Sequence, residues 1–317
     1  MTVAMRKLIF CLLFSVACGP QTSRSMPEPK EITYRAIEEG EIWFRNSVIQ
    51  LRFDNEMYCR VFFDKNDRFL SINDIPILPS LAKPPHFIDV NGKELKDFMV
   101  DYRNLGTSDL RTPLGTGKKL SLTGYAKTED GLTLEKDLSV EFYQDLPDIA
   151  IFSVSYRNTE VDKHVLITRI VNNFFRMDAA RVQSGSSRYA FHCFVELESG
   201  QPGGGLKQIT SDFSQVFTTR SSDAEAVGRL PFIDLWTEKM GMAIGDLSTK
   251  EGVWTLPILV APDQRVEMSM QSREPVNLGP NESLPASKSF LMVHSGDYQA
   301  AWKRYQDIRR VLGYRPK

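Results

Sequence analysis

Leu132–Phe142, LTLEKDLSVEF, decides the fold class. Leu132, Leu134, Leu138, Val140 and Phe142 alternate with Thr133, Glu135, Asp137, Ser139 and Glu141. Successive side chains of a strand point to opposite faces, so this segment reads as an antiparallel strand with one face on a core and the other in water. Lys136 falls on the apolar side. Its stem is expected to pack there while the ammonium snorkels to solvent; a buried lysine with a partner is the alternative.

The pattern continues on both sides of this strand. Leu146-Pro147-Asp148 makes a turn, and Ile149–Tyr156 pairs back on the first strand. Val165–Asn172, Tyr189–Leu197, Phe213–Thr218, Gly241–Asp246, Trp254–Val260, Val266–Met270 and Ser289–His294 read as further strands, with a loop at Gln201–Gly205. Upstream, Val48–Phe53, Met57–Phe63 and Arg68–Ile72 are separated by Asp/Asn turn chemistry, and Asn91-Gly92 is a hairpin signal. Short strands at a spacing of about ten residues predict an all-β sandwich or barrel. One helix stands apart at Asp297–Leu312 (DYQAAWKRYQDIRRVL). Its Tyr298, Ala301, Trp302, Tyr305, Ile308 and Leu312 share a face, Asp297 caps its start, and Arg309 and Arg310 suit its negative end.

The chain has 317 residues, with 39 Lys+Arg against 40 Asp+Glu and a formal net charge of -1. A length of that order holds an ample core. The charge balance argues against a nucleic-acid partner, because phosphate binding needs a cationic surplus or a basic stripe, and the sequence shows no such run. Arg6-Lys7, the apolar Leu8–Val16 and the small residues after them form a leader too short to span a bilayer. Cys18 after Ser15-Val16-Ala17 resembles a bacterial lipobox cysteine, with Ser15 in place of the preferred Leu; an ordinary signal-peptidase site is the alternative. The expectation is an exported, periplasmic or cell-surface lipoprotein, lipidated at Cys18 and touching the membrane through that anchor alone. Residues 1–18 are then leader and 19–40 a polar tether. Cys59 and Cys193 lie in apolar runs and read as buried free thiols.

Candidate chemistry is sparse. Gly115-Thr116-Gly117 and Gly203–Gly205 lack the setting of a phosphate cradle and read as turns. No GxSxG and no metal-ligand spacing occurs, so no metal and no cofactor is expected. His192, Glu196 and Glu198 fall on one face of a strand, where they could serve as acid and base on a sugar. Asp234, Trp236 and Trp254 are candidate carbohydrate contacts, since an indole offers a flat apolar face and a carboxylate accepts from hydroxyls; core packing is the alternative for each.

Taken in order, several stretches resemble one family. Gly131–Tyr143 (GLTLEKDLSVEFY), the Leu146-Pro147-Asp148 turn and Val154–Asn158 (VSYRN) look like the N-terminal domain of melibiase-type α-galactosidases. Asn172-Asn173-Phe174, Leu230–Trp236 (LPFIDLW), Met240–Gly245 (MGMAIG), Leu256-Pro257 and Ser289–Tyr298 (SFLMVHSGDY) extend the likeness to about Gly313. The resemblance implies a galactose-mutarotase-like β-supersandwich over residues 41–296, and a connecting helix over 297–317 leading into a (β/α)₈ barrel. In that family both catalytic aspartates belong to the barrel, so the resemblance assigns no catalytic residue here. It implies a carbohydrate-associated, non-catalytic domain of an exported glycoside hydrolase acting on α-galactosides, its barrel in cis or encoded separately. A stand-alone carbohydrate-binding lipoprotein and a mutarotase-like epimerase are the alternatives.

Overall fold

The strand expected at Leu132–Phe142 runs over Thr133–Tyr143 in a computed structural model that describes residues 31–36, 40–64, 69–73, 82–196, 205–218, 231–247 and 253–313. It lies between Gly115–Lys127 and Leu146–Asn158, both antiparallel, in the register Leu122↔Leu138↔Val154. These three strands belong to a ten-stranded sheet. In space it runs Gly205–Gln208, His192–Glu196, Phe232–Trp236, Gly241–Asp246, Ser283–His294, Leu146–Asn158, Thr133–Tyr143, Gly115–Lys127, Met99–Val100, with Gly106–Thr112 also on Gly115–Lys127.

A seven-stranded sheet faces it, built around Val165–Met177, Val266–Ser272, Trp254–Val260 and Phe87–Val90. A five-stranded meander, Thr33–Ala36, Ile42–Arg45, Ile49–Phe53, Cys59–Asp64 and Phe69–Ser71, completes the sandwich. Leu138, Val140 and Phe152 of the first sheet, Ile167 and Met268 of the second, and Phe44 and Leu51 of the third share one core. The rings of Phe44 and Phe142 stack at 4.7 Å, tying the meander to the large sheet. Alternation is thus the cause of the layering: each strand gives one face to this core. The Asn91-Gly92 hairpin forms as expected, both residues at positive φ (53° and 78°), as a tight two-residue turn requires.

The helix runs Tyr298–Val311, with the Asp297 carboxylate accepting from the Gln299 amide at 3.0 Å. It covers the outer face of the ten-stranded sheet and makes a second core. Ala301, Tyr305 and Ile308 meet Ile149, Ile151, Phe232, Phe290 and Met292 there. The central strands of that sheet are consequently apolar on both faces, which is why Phe232–Trp236 and Gly241–Asp246 are buried at every position.

Three expectations need correction. Thr33–Ala36, placed in the tether, is a paired edge strand, and Ile32 beside it is buried. Gly115-Thr116-Gly117, read as a turn, opens the Gly115–Lys127 strand. Glycine stands at position 117 because a Cβ there would lie 2.0 Å from the Phe142 carbonyl oxygen. Lys136 does not snorkel. It is fully buried, and its Nζ donates to the His86 carbonyl at 2.7 Å, because the neighbouring strands and Phe98 close over its stem on the core side. Cys59 and Cys193 are free and buried, and burial pushes the Cys193 thiol up to about 12. The leader, Cys18 and the tether as far as Lys30 lie outside the described residues.

Candidate functional site

Phe232–Trp236 carries the site. Ile233 and Leu235 point into the sandwich core, so Phe232, Asp234 and Trp236 face the helix side. The register Trp236↔Gly241↔His294 brings the end of the Ser283–His294 strand alongside. His294 Nε2 lies 2.9 Å from Asp234 Oδ1. Gly241, between them in the sheet, leaves the room: a Cβ there would sit 2.2 Å from His294 Nε2 and 2.7 Å from Trp236 Cβ. The Trp236 ring packs against His192 at 5.7 Å and against Tyr298, the first residue of the helix, at 5.5 Å.

Asp234 has no exposed surface and His294 only 7%. Burial pushes the Asp234 carboxyl above the usual aspartate range, with His294 pulling the other way. Burial alone would lower the His294 imidazole, but the charge and hydrogen bond of Asp234 more than offset it, so its pKa lies above the ordinary 6.5. A carboxylate-oriented imidazole is a general acid–base arrangement, but the ring is sealed under Trp236 and the helix start, so no substrate proton comes within reach. The pair instead fixes the strand end three residues before the helix cap. Asp234 Oδ2 and His294 Nδ1 are buried without hydrogen-bond partners among the described residues, so the pair is incompletely satisfied.

A pH dependence follows. Both groups bind their protons more tightly folded than unfolded, so the stability that they contribute falls as pH rises through each window. The His294 share is fully present below the ordinary histidine value and is lost as pH rises through the higher folded value. The urea midpoint of the wild type should therefore exceed that of His294→Gln by more at pH 6 than at pH 9. A gap independent of pH would show that the imidazole does not titrate against Asp234.

Of the expected carbohydrate contacts, Asp234 and Trp236 come together, whereas Trp254 begins a strand of the seven-stranded sheet and joins the main core. With exposures of 0, 7 and 8%, none of the three offers an open face to a sugar. His192 is exposed, Glu196 ends its strand, and Glu198 lies outside the described residues. His294 was missed as the partner of Asp234 because 60 residues of chain and four strand crossings separate the two; only the register joins them. An open cavity of about 490 Å³ lies beside the Gly106–Thr112 strand, lined by Glu31, Asp109, Arg111, Thr116, Lys118 and Gln144 among others. Internal pairs occupy it, Lys118 with Asp109 at 3.5 Å and Thr116 with Gln144 at 2.9 Å, and among the described residues its walls hold no aromatic ring. Among the described residues no group of three or more His, Cys, Asp or Glu is placed to hold a metal.

The fold is shared with solved structures. The α-galactosidase from Lactobacillus brevis superposes with a TM-score of 0.56 at 11% identity, covering 90% of this chain and 42% of its own. A GH36 α-galactosidase, AgaB from Geobacillus stearothermophilus, gives 0.58 at 10% identity, covering 84% and 41%. The fold is that of the galactose-mutarotase-like sandwich. A candidate aldose 1-epimerase from Klebsiella pneumoniae matches at 0.54 and 10% identity, over 89% of this chain and 86% of that one. This chain thus spans about two fifths of the similar galactosidases but most of the epimerase. No family model and no curated protein matches.

Proposed function

We propose that this chain is the carbohydrate-associated, non-catalytic β-sandwich of an exported α-galactosidase-like glycoside hydrolase, working with a (β/α)₈ barrel in cis or on a separate chain. The observation that carries the reading is the extent of the likeness: 84–90% of this chain matches about two fifths of the galactosidase chains. The chemistry agrees. Glycoside hydrolysis needs two carboxyl groups flanking an accessible bond. Asp234 is sealed and paired, and the acids of the open cavity lack a sugar platform. Export, with lipidation at Cys18, rests on the leader alone.

The near-complete overlap with the epimerase chain favours a second reading, an aldose epimerase with His192 as its acid or base. One preparation tests both. The purified chain should leave an aryl α-galactoside uncleaved, and fresh α-galactose should mutarotate at the spontaneous rate with wild type and His192→Ala alike. Galactoside turnover above background overturns the first reading; a faster mutarotation that His192→Ala abolishes establishes the second.

A further inference from the structure

The five-stranded meander buries Ile42, Phe44, Ile49, Leu51, Phe53 and Val61 on one side and turns a different set outward. Its register aligns Arg35↔Trp43↔Arg52↔Arg60 in a row across four strands. Arg45 stands one step along, opposite Thr33 and Gln50. Arg35, Arg45 and Arg60 are exposed, and Arg52 is half-buried. The Arg52 guanidinium is wedged between two rings, 3.9 Å from the centre of Trp43 and 4.3 Å from that of Phe62. The Gln50 amide, with its oxygen turned toward Arg52, accepts from Nε and Nη2 at 2.5 and 3.1 Å.

This arrangement opposes folding unless something answers it. Like charges directly opposite on neighbouring strands are destabilising, and Arg52 faces Arg60. Among the described residues none of the four arginines forms an ion pair within 4.0 Å. Among the described residues, Glu41 attracts Arg52 and Asp54 attracts Arg60 only through space, since each carboxylate makes its hydrogen bonds to other groups. Glu41 accepts from the Trp43 indole at 2.8 Å, and Asp54 accepts from the Glu56 and Tyr58 amides at 2.9 Å. Asp64 sits at the far end of its strand and has a further partner of its own.

We propose that this face binds an anionic polysaccharide, a uronate-bearing chain lying across the strands with its carboxylates on Arg35, Arg52 and Arg60. Guanidinium forks match carboxylates two bonds at a time; Arg52 and Arg60 on adjacent strands stand about 4.8 Å apart and Arg35, beyond Trp43, about twice that from Arg52, spacings that a chain charged at every sugar can meet. Trp43 and Phe62 hold Arg52 with its remaining edge outward, so little side-chain freedom is lost on binding. A membrane surface fits less well, since its anchors are apolar side chains that reach past the charges, whereas both rings here are half-buried around a guanidinium. Nucleobases need free aromatic faces, and each ring gives one to Arg52.

The inference does not depend on a galactosidase barrel, so either reading can fail alone. The test is calorimetric titration of the full chain with a galacturonate oligosaccharide and, separately, with a neutral galactomannan oligosaccharide. Wild type should bind the galacturonate, more weakly as salt rises. Arg35→Ser/Arg60→Ser should bind at least tenfold more weakly while melting no earlier than the wild type, since the change also relieves the repulsion between Arg52 and Arg60. If that variant melts early, the exposed Arg60→Gln alone serves in its place. No galacturonate binding, equal binding by the variants, or equal binding of the neutral oligosaccharide overturns the proposal. So does binding only to phosphatidylglycerol vesicles or only to single-stranded DNA.

Discussion

Lys136→Met is expected to stabilise the protein at pH 7 by about 3 kcal/mol, and the gain should vanish as pH approaches 10. Lys136 sits on the core face of Thr133–Tyr143, opposite Gly124 on one side and Tyr156 on the other. Its Nζ donates to one carbonyl, that of His86, and no carboxylate contributes to its titration. Burial alone brings the amine from the ordinary 10.5 down to about 7. The same burial, followed by the Lys136 charge, lowers His86 to about 3, so the imidazole stays neutral and supplies no counter-charge. Between pH 7 and 10.5 the unfolded chain binds this proton and the folded chain does not, so wild-type stability rises with pH across that window. Below it the whole penalty applies, on the order of 5 kcal/mol for a displacement of this size. Methionine keeps the length of the stem and removes the charge. It also leaves the His86 carbonyl unpaired, which costs about 1–2 kcal/mol, so the net gain is smaller than the penalty. Urea unfolding of both proteins at pH 6.5, 8 and 9.5 measures it. A difference that stays constant over that range would mean that Lys136 keeps its charge and finds an anionic partner.

The layers were legible where an apolar run or a local period marks an element. Gly241–Asp246 and Trp254–Val260 occupy the positions that their patterns indicate, and Asp297 caps the helix that it was expected to cap. Legibility ends where a residue's role depends on what lies across the sheet. Gly117 looks like a turn residue until the Phe142 carbonyl is placed beside it. Lys136 looks like a snorkelling lysine until Phe98 and His86 close over it. The same limit hid the cationic row. Arg35, Arg45, Arg52 and Arg60 form no run in the chain, and a net charge of -1 conceals them; each belongs to a different strand of one meander, and pairing alone aligns them. Asp234 was singled out as a candidate carbohydrate contact, and the structure buries it against His294. Its partner could not be read, because His294 reaches it across a neighbouring strand at a glycine.

Tyr305→Ala should be the most damaging single change on the helix, destabilising the protein by about 3–5 kcal/mol. A helix of 14 residues is marginal in isolation, so Tyr298–Val311 owes its existence to docking. Tyr305 is the centre of that docking. It is fully buried, with its ring 5.2 Å from both Phe232 and Phe290 and 5.5 Å from Trp302. Removing it leaves a cavity between helix and sheet that the rigid strands cannot fill, because Phe290 is already held against Gly245, where a Cβ would approach its ring to 2.4 Å. The loss should also be local. Ala301 and Ile308 are then the helix's buried side chains, with Tyr298 and Trp302 still packed on Phe194, and this reduced seam weakens the docking, whereas the sandwich core on the opposite face of the sheet keeps all its contacts. Hydrogen exchange should therefore accelerate strongly in residues 298–311 of the variant, while amides of Thr133–Tyr143 retain their protection. Uniform acceleration in both would show that the helix and the sandwich unfold as one unit. In that case the helix is an integral part of the domain rather than a separable connector to a catalytic barrel.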